Sequence, residues 1–202
     1  MRDDVVSEMQ ATKTESDVPQ LPITVAEYHR MGETGIIGPD ERAELLDGQL
    51  IAMPPTGPEH QYSVDTLVEL FTLRFAGRAT VRGQAPVSLD EISEPQPDVT
   101  LNVFPRKRYA RAHATPNQIL LAIEVSKSSL ALDRGRKLRA YARRGVAEYW
   151  IVKLVNDRMD VYRGPHGERY AKHLIARRGE TIAPQAFPDD GFAVDDVLPP
   201  LD

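Results

Sequence analysis

Apolar positions recur along this chain with two periods, and the changes from one to the other mark its elements. Over residues 59–76, Val64, Leu67, Val68, Phe71 and Phe75 fall at helical spacing on one side, which predicts an amphipathic helix ended by Gly77. A shorter helix, "TVAEYHRMG", is expected to open at Thr24 and close at Gly32. "AELLDGQLIAMPP" reads as two short strands around Asp47-Gly48, a strong hairpin signal, with Pro54 and Pro55 ending it. "ATVRGQAPVSL" reads as a strand that Gly83 and Pro86 weaken, pointing to a bend or an edge. Two apolar runs follow, "EPQPDVTLNVF" and "QILLAIEVS", separated by a basic loop of roughly fourteen residues, a length at which loops are often functional.

The next segment, "DRGRKLRAYARRG", is helical, with Asp133 as its N-cap, Leu138, Tyr141 and Ala142 as its inward stripe and Gly145 as its stop. "EYWIVKL" is a buried strand that "VNDR" turns into "MDVYRG", and "RYAKHLIA" adds another. The C-terminal "AFPDDGFAVDDVLPPLD" reads as an acidic wrap with a few apolar anchors. Helix, three strands, helix and strand, with hairpins before and after, predict an α/β fold in which helices flank one mixed central sheet. Residues 1–20 are polar, acidic and rich in Ser/Thr, so a disordered N-terminal tail is expected ahead of a single domain over 21–202.

Composition adds exclusions. Apolar residues make up 41% and charged residues 27%, the balance of a soluble globular protein. Cysteine is absent, which rules out disulfides and thiolate metal sites. No run approaches the ~20 apolar residues of a membrane span, so no membrane association and a cytoplasmic setting are expected. The net charge of −5 is unevenly spread. From Arg106 to Arg144 there are eleven Lys/Arg against Glu124 and Asp133, a net +9, so the remainder carries −14. That asymmetry suits a basic contact face on an acidic body, or equally a well-solvated loop and helix.

The chemistry lies in the two runs after the weakened strand. Asp98 heads the first and Glu124 stands near the tail of the second. A carboxylate inside Ile-Leu-Leu-Ala-Ile-Glu-Val is costly to bury unless it is paired or holds a metal. Antiparallel pairing would bring the start of one strand beside the end of the other, placing Asp98 and Glu124 together at one edge of the sheet. Oxygen donors without cysteine point to Mg²⁺ or Mn²⁺ rather than zinc. Plainer roles are open as well. Asp98 suits a strand-start turn, Glu124 an ion pair with an arginine of the next helix, and Lys137 an i,i+4 pair with Asp133. Tyr141, Tyr149 and Trp150 are expected in the core. "SKSS" lacks both a nearby histidine and the glycine-flanked elbow of a serine nucleophile.

"AELLDGQL", "PPTGPEHQ", "QPDVTL", "AIEVSKSS" and "LDRGRKLRAYARRGVAEYWIV" together resemble the PD-(D/E)xK restriction-endonuclease-like superfamily, and within it the Uma-type family of endonucleases. The likeness spans roughly residues 40–155 and is most specific between Glu124 and Trp150. It implies a restriction-endonuclease-like core and a divalent-metal phosphodiesterase, with Asp98 as the motif aspartate and Glu124 as its partner. The main-chain carbonyl of Val125 is implied as a further metal ligand. The superfamily's lysine normally stands two residues beyond the glutamate, where this chain has Ser126. The following helix supplies Lys137 as its replacement. Glu44, His60 and Gln84 are implied as accessory residues.

Three readings follow. The first is a Mg²⁺-dependent endonuclease whose DNA contacts come from Arg106, Lys107, Arg108, Arg111, Arg134 and Arg136, giving salt-sensitive binding with little base specificity. The second is a nucleic-acid-binding protein with a decayed site, for which Ser126 is the best support. The third is a structural protein of the same fold, a homodimer joined through its hairpins. A two-carboxylate glycosidase is remote, because sugar sites use aromatic platforms and only 6% of the chain is aromatic.

Overall fold

The computed structural model describes residues 21–201, so the expected tail over 1–20 lies outside the described residues. Helix α1 (Val25–Glu33) opens with a capping box in which Thr24 and Glu27 satisfy each other's backbone N–H groups. It runs past Gly32, and the chain leaves the helical region only at Gly35, whose φ is +74°. Gly32 is therefore a helical residue, and the stop falls at the glycine that needs the left-handed conformation. Strands β1 (Ala43–Leu46) and β2 (Gln49–Ala52) form the expected hairpin, with Asp47 and Gly48 at φ 51° and 71°.

Helix α2 (Pro58–Arg74) has proline in its first turn, buries Val64, Leu67 and Phe71, and ends with Phe75 also in the core. Strand β3 covers only Ala79–Gly83. Gln84 then takes a left-handed φ of 45°, and the chain to Asp98 is held by isolated bridges such as Leu45–Glu94 and Val87–Ala114. The strand expected to extend through Pro86 thus stops where glycine and proline weaken it.

Strands β4 (Val99–Val103) and β5 (Ile119–Ser126) pair antiparallel. The helical segment after β5 starts earlier than expected and is not uniform: α3 (Leu130–Leu132), a π-helical turn (Asp133–Lys137), then α4 (Leu138–Arg143). Asp133 is therefore no N-cap. It sits inside the helix with its side chain buried. Strand β6 (Glu148–Lys153) runs parallel to β5, as a crossover helix requires. β7 (Arg158–His166) and β8 (Arg169–Arg177) complete a six-stranded mixed sheet in the order β3-β4-β5-β6-β7-β8. The C-terminal wrap adds a small pair, β9 (Thr181–Ile182) and β10 (Phe192–Ala193).

Alternation along the central strands sorts side chains into two layers. Val99, Leu101, Leu121, Ile123, Trp150 and Val152 face α2 and the wrap's anchors Phe192, Val197 and Leu198. Ala122, Tyr149 and Ile151 face the other way, beneath Ala140 and Tyr141 of α4. By the same alternation Glu124 and Ser126 lie on the α4 side, and so does Asp98, which precedes Val99. No helix among the described residues is long and apolar enough to cross a membrane.

Candidate active site

The β4–β5 register places Val99 opposite Ile123, so Asp98 comes next in the ladder beside Glu124, on the same face. Asp98 Oδ2 accepts the main-chain N–H of Val125 at 2.8 Å and lies 3.1 Å from His60 Nε2. Its own carbonyl accepts the N–H of Gln84 at 2.7 Å, which is what the left-handed turn there accomplishes. Glu124 Oε1 accepts Lys137 Nζ at 3.0 Å and the hydroxyl of Tyr141 at 3.3 Å. Lys137 Nζ also lies 3.1 Å from Glu44 Oε2, which accepts the N–H of Gln96 at 2.9 Å. All of these groups are buried or nearly so.

Glu44, His60, Gln84, Asp98, Glu124, Val125 and Lys137 line one cavity of about 320 Å³. The structure thus brings together the residues that the resemblance implies for the site. The basic set is not among them: Arg106, Lys107, Arg108, Arg111, Arg134 and Arg136 do not line this cavity. The basic window is split by topology. Its first part leaves β4 at the end opposite Asp98, whereas its second part follows β5 beyond Glu124. Several of its charges are also spent internally. Arg136 donates to the Leu46 carbonyl and Gln49, Arg143 to Asp47 and Glu168, and Arg144 to Asp90.

Two participants were not expected from sequence. Asp133 has the profile of an N-cap or of an ordinary i,i+4 partner of Lys137, on which its charge does act, yet it is buried in the cavity wall and its Oδ2 accepts Ser129 Oγ at 2.6 Å. Tyr141 is a core residue, as its place in the apolar stripe indicates, but its hydroxyl reaches Glu124. Only the mixed character of that stripe, a tyrosine where leucine would suffice, hints at this.

The electrostatics are lopsided. Four carboxylates (Glu44, Asp98, Glu124 and Asp133) surround a single buried ammonium. Burial pushes Glu124 well above the carboxylate range, and Asp133, Asp98 and Glu44 push the same way against the pull of Lys137. Burial raises Asp133 too, opposed by Lys137 and Ser129. For Lys137 burial works downward, but Glu124, Glu44 and Asp133 outweigh it and hold the ammonium charged. Burial and then Glu124 raise Tyr141, which stays a phenol donor. Meanwhile Asp98 Oδ1 and Glu124 Oε2 take no hydrogen bond among the described residues. Excess negative charge together with two uncommitted carboxylate oxygens fits a hard divalent cation.

Comparison with known proteins agrees with this architecture. A solved structure described as a putative nuclease belonging to DUF820 from Anabaena variabilis ATCC 29413 superposes with a TM-score of 0.68, covering 87% of this chain and 97% of that one. At 14% identity it establishes the fold alone. None of the curated proteins matches the chain. The model of the Uma2 family, described as "Putative restriction endonuclease", matches residues 25–195, and the chain belongs to that family, within the restriction-endonuclease-like superfamily.

Proposed function

We propose that this cavity hydrolyses phosphodiester bonds of DNA with one divalent metal, Mg²⁺ or Mn²⁺, held by Asp98, Glu124 and the main-chain carbonyl of Val125. The carrying observation is the pair of uncommitted oxygens on Asp98 and Glu124 inside a cavity where four carboxylates surround one buried ammonium, the other cations of its lining, Arg42 and Lys127, being exposed. The N–H of Val125 points at Asp98, and the carbonyl of a strand residue points to the same side as its N–H, which supports its inclusion. Such a metal would polarise the phosphate and favour deprotonation of the attacking water.

The chain's own groups divide the remaining work. Lys137, kept charged by its neighbours, offsets negative charge that builds on the phosphorane rather than acting as a base. Glu44 holds that ammonium from the second side. His60 positions Asp98 through Oδ2, leaving Oδ1 for a ligand. Gln84 anchors the main chain at Asp98. The proposal extends to a cytoplasmic homodimer that meets DNA phosphates through the basic loop, and light scattering on the purified chain tests the assembly.

A second reading, a nucleic-acid-binding protein that no longer turns over, is favoured by one observation. Lys137 is locked between Glu124 and Glu44, and Ser126 stands where the superfamily lysine would be. A cleavage assay separates the two. Purified protein with Mg²⁺ or Mn²⁺ should nick plasmid DNA, Asp98→Ala and Glu124→Ala should abolish nicking, and Lys137→Ala should slow it while sparing metal binding. DNA binding without any metal-dependent nicking would favour the decayed site. Nicking that persists in both carboxylate variants would assign the activity elsewhere.

A further inference from the structure

A second cluster lies outside that cavity. One ring nitrogen each of His29 and His113 and a carboxylate oxygen of Glu94 lie within 4.8 Å of one another. The three come from α1, from the irregular segment ahead of β4 and from the basic loop, so sequence spacing gives no hint of their meeting. They border a separate cavity of about 510 Å³ that shares no lining residue with the first.

Each member is oddly placed for a purely structural role. Glu94 is only 4% exposed, and its carboxylate has one hydrogen-bond partner among the described residues, His29 Nε2 at 2.6 Å. A half-exposed imidazole is a weak partner for a buried carboxylate. His113 Nδ1 is buried and makes no hydrogen bond among the described residues. A buried polar atom left in that state calls for an explanation. The backbone holds Glu94 firmly, its N–H donating to the Leu45 carbonyl at 2.8 Å, so the carboxylate is presented rather than left to wander.

We infer that His29, Glu94 and His113 form a zinc site. Two imidazoles and one carboxylate are a zinc donor set with a position left for water, and they suit Mg²⁺ poorly. Donors at about 2.0–2.1 Å from a tetrahedral metal stand about 3.3–3.4 Å apart, so His29 Nε2, 2.6 Å from the Glu94 carboxylate, must draw back to admit the ion. His29 can do so, because its side chain is half exposed and α1 buries none of its residues. Arg82 and Arg111 also line the cavity and oppose a cation, and the charge of Glu94 offsets one of them.

The site would act as a fastener. Among its described ties, α1 is held by Val25 N–H on the Glu91 carbonyl and by the Tyr28 hydroxyl on the Ala43 carbonyl, both at 2.8 Å, rather than by apolar packing. Zinc would join it to the loop that carries Arg106, Lys107, Arg108 and Arg111. This inference is independent of the phosphodiesterase reading, because neither its residues nor its metal are those of the first cavity.

The test is calorimetric titration of the full chain with Zn²⁺ alone, in an Asp98→Ala/Glu124→Ala background that removes the other carboxylate site. One Zn²⁺ per chain is expected. His29→Ala and His113→Ala should each weaken binding by at least ~10-fold, since losing a ligand costs no less than losing a ligand's outer partner. Co²⁺ in place of Zn²⁺ should give visible absorption bands that the same substitutions erase. Zn²⁺ should also slow tryptic cleavage at Arg106–Arg111, an effect lost in His113→Ala. His29 lies on the surface, so its variant reads ligation rather than folding. Absence of binding, or an affinity indifferent to both histidine substitutions, would overturn the site.

Discussion

Glu124 and Glu148 stand in adjacent parallel strands, each in an apolar run and each buried, yet the protein treats them in opposite ways. Glu148 is spent in full. Its Oε1 accepts the Trp150 indole N–H at 2.8 Å and Arg163 Nε at 2.6 Å, while Oε2 accepts the N–H of Gln185 at 2.6 Å. It ties β6 to β7 and to the C-terminal wrap on the α2 side. Glu124 commits one oxygen to Lys137 and Tyr141 and leaves the other in a cavity crowded with like charge. A carboxylate serving the fold is neutralised on both oxygens. One kept for a ligand is left half satisfied, at a cost in stability that the ligand later removes.

The sharpest way to break this contrast is to measure both residues in the same unfolding experiment. Glu148→Ala strands a buried indole, a guanidinium and a backbone N–H, and should cost roughly 3–5 kcal/mol in urea denaturation, the usual penalty for breaking a buried pair. Glu124→Gln replaces a carboxyl that burial and its neighbours already hold toward the neutral form, and Glu44 still holds Lys137, so its stability should stay within about 1 kcal/mol of the parent. Equal losses at the two positions would erase the distinction.

A smaller effect should appear with pH. Glu124 has its folded value raised above the ordinary 4.5, so the native state keeps a proton that the unfolded chain has already released. Stability of the metal-free protein from this group therefore falls as pH rises above about 4.5, and Asp133 adds in the same direction. The melting temperature should drop between about pH 5 and pH 8, and Mg²⁺ at ~100 times its Kd should recover about 2.7 kcal/mol at the upper end. In Glu124→Gln both the slope and the recovery should shrink; an unchanged slope would place the raised group elsewhere.

The smallest expected change concerns the basic loop. Replacing Arg106, Lys107 and Arg108 by alanine should weaken DNA binding about equally across sequences and lower its salt dependence by roughly one unit of slope for each phosphate no longer neutralised. Stability should not change, because all three side chains are exposed. A full salt slope in that variant would move the DNA-facing surface to another side of the molecule.

Much of this was legible from the residues. Periodicity identifies α2, the Asp47-Gly48 hairpin and the strands on either side of the basic loop, because each is decided by local spacing. The meeting of Asp98 with Glu124 follows from antiparallel pairing of two neighbouring runs, and Lys137 follows from a helix that must cross back over its own strand. What escaped depends on tertiary surroundings. Asp133 satisfies every local criterion for a cap, and only Ser129 and Lys137, folded around it, reveal a buried acid. The basic window sums charges that the chain then separates, spending Arg136, Arg143 and Arg144 on partners far away in sequence. The convergence of His29 and His113 on Glu94 has no local signature at all.

The widened turn at Asp133–Lys137 has a consequence for how this protein can vary. Such a turn holds one residue more than its α-helical counterpart. Deleting a single codon there would tighten it to an ordinary α-helical turn with the flanking segments in place, so Tyr141 would stay seated in the core while the side chains within the turn, Asp133 and Lys137 among them, were re-aimed. Length polymorphism, rather than point substitution, is thus the shortest evolutionary route by which a descendant could disarm or rearm this pocket while leaving the sheet intact.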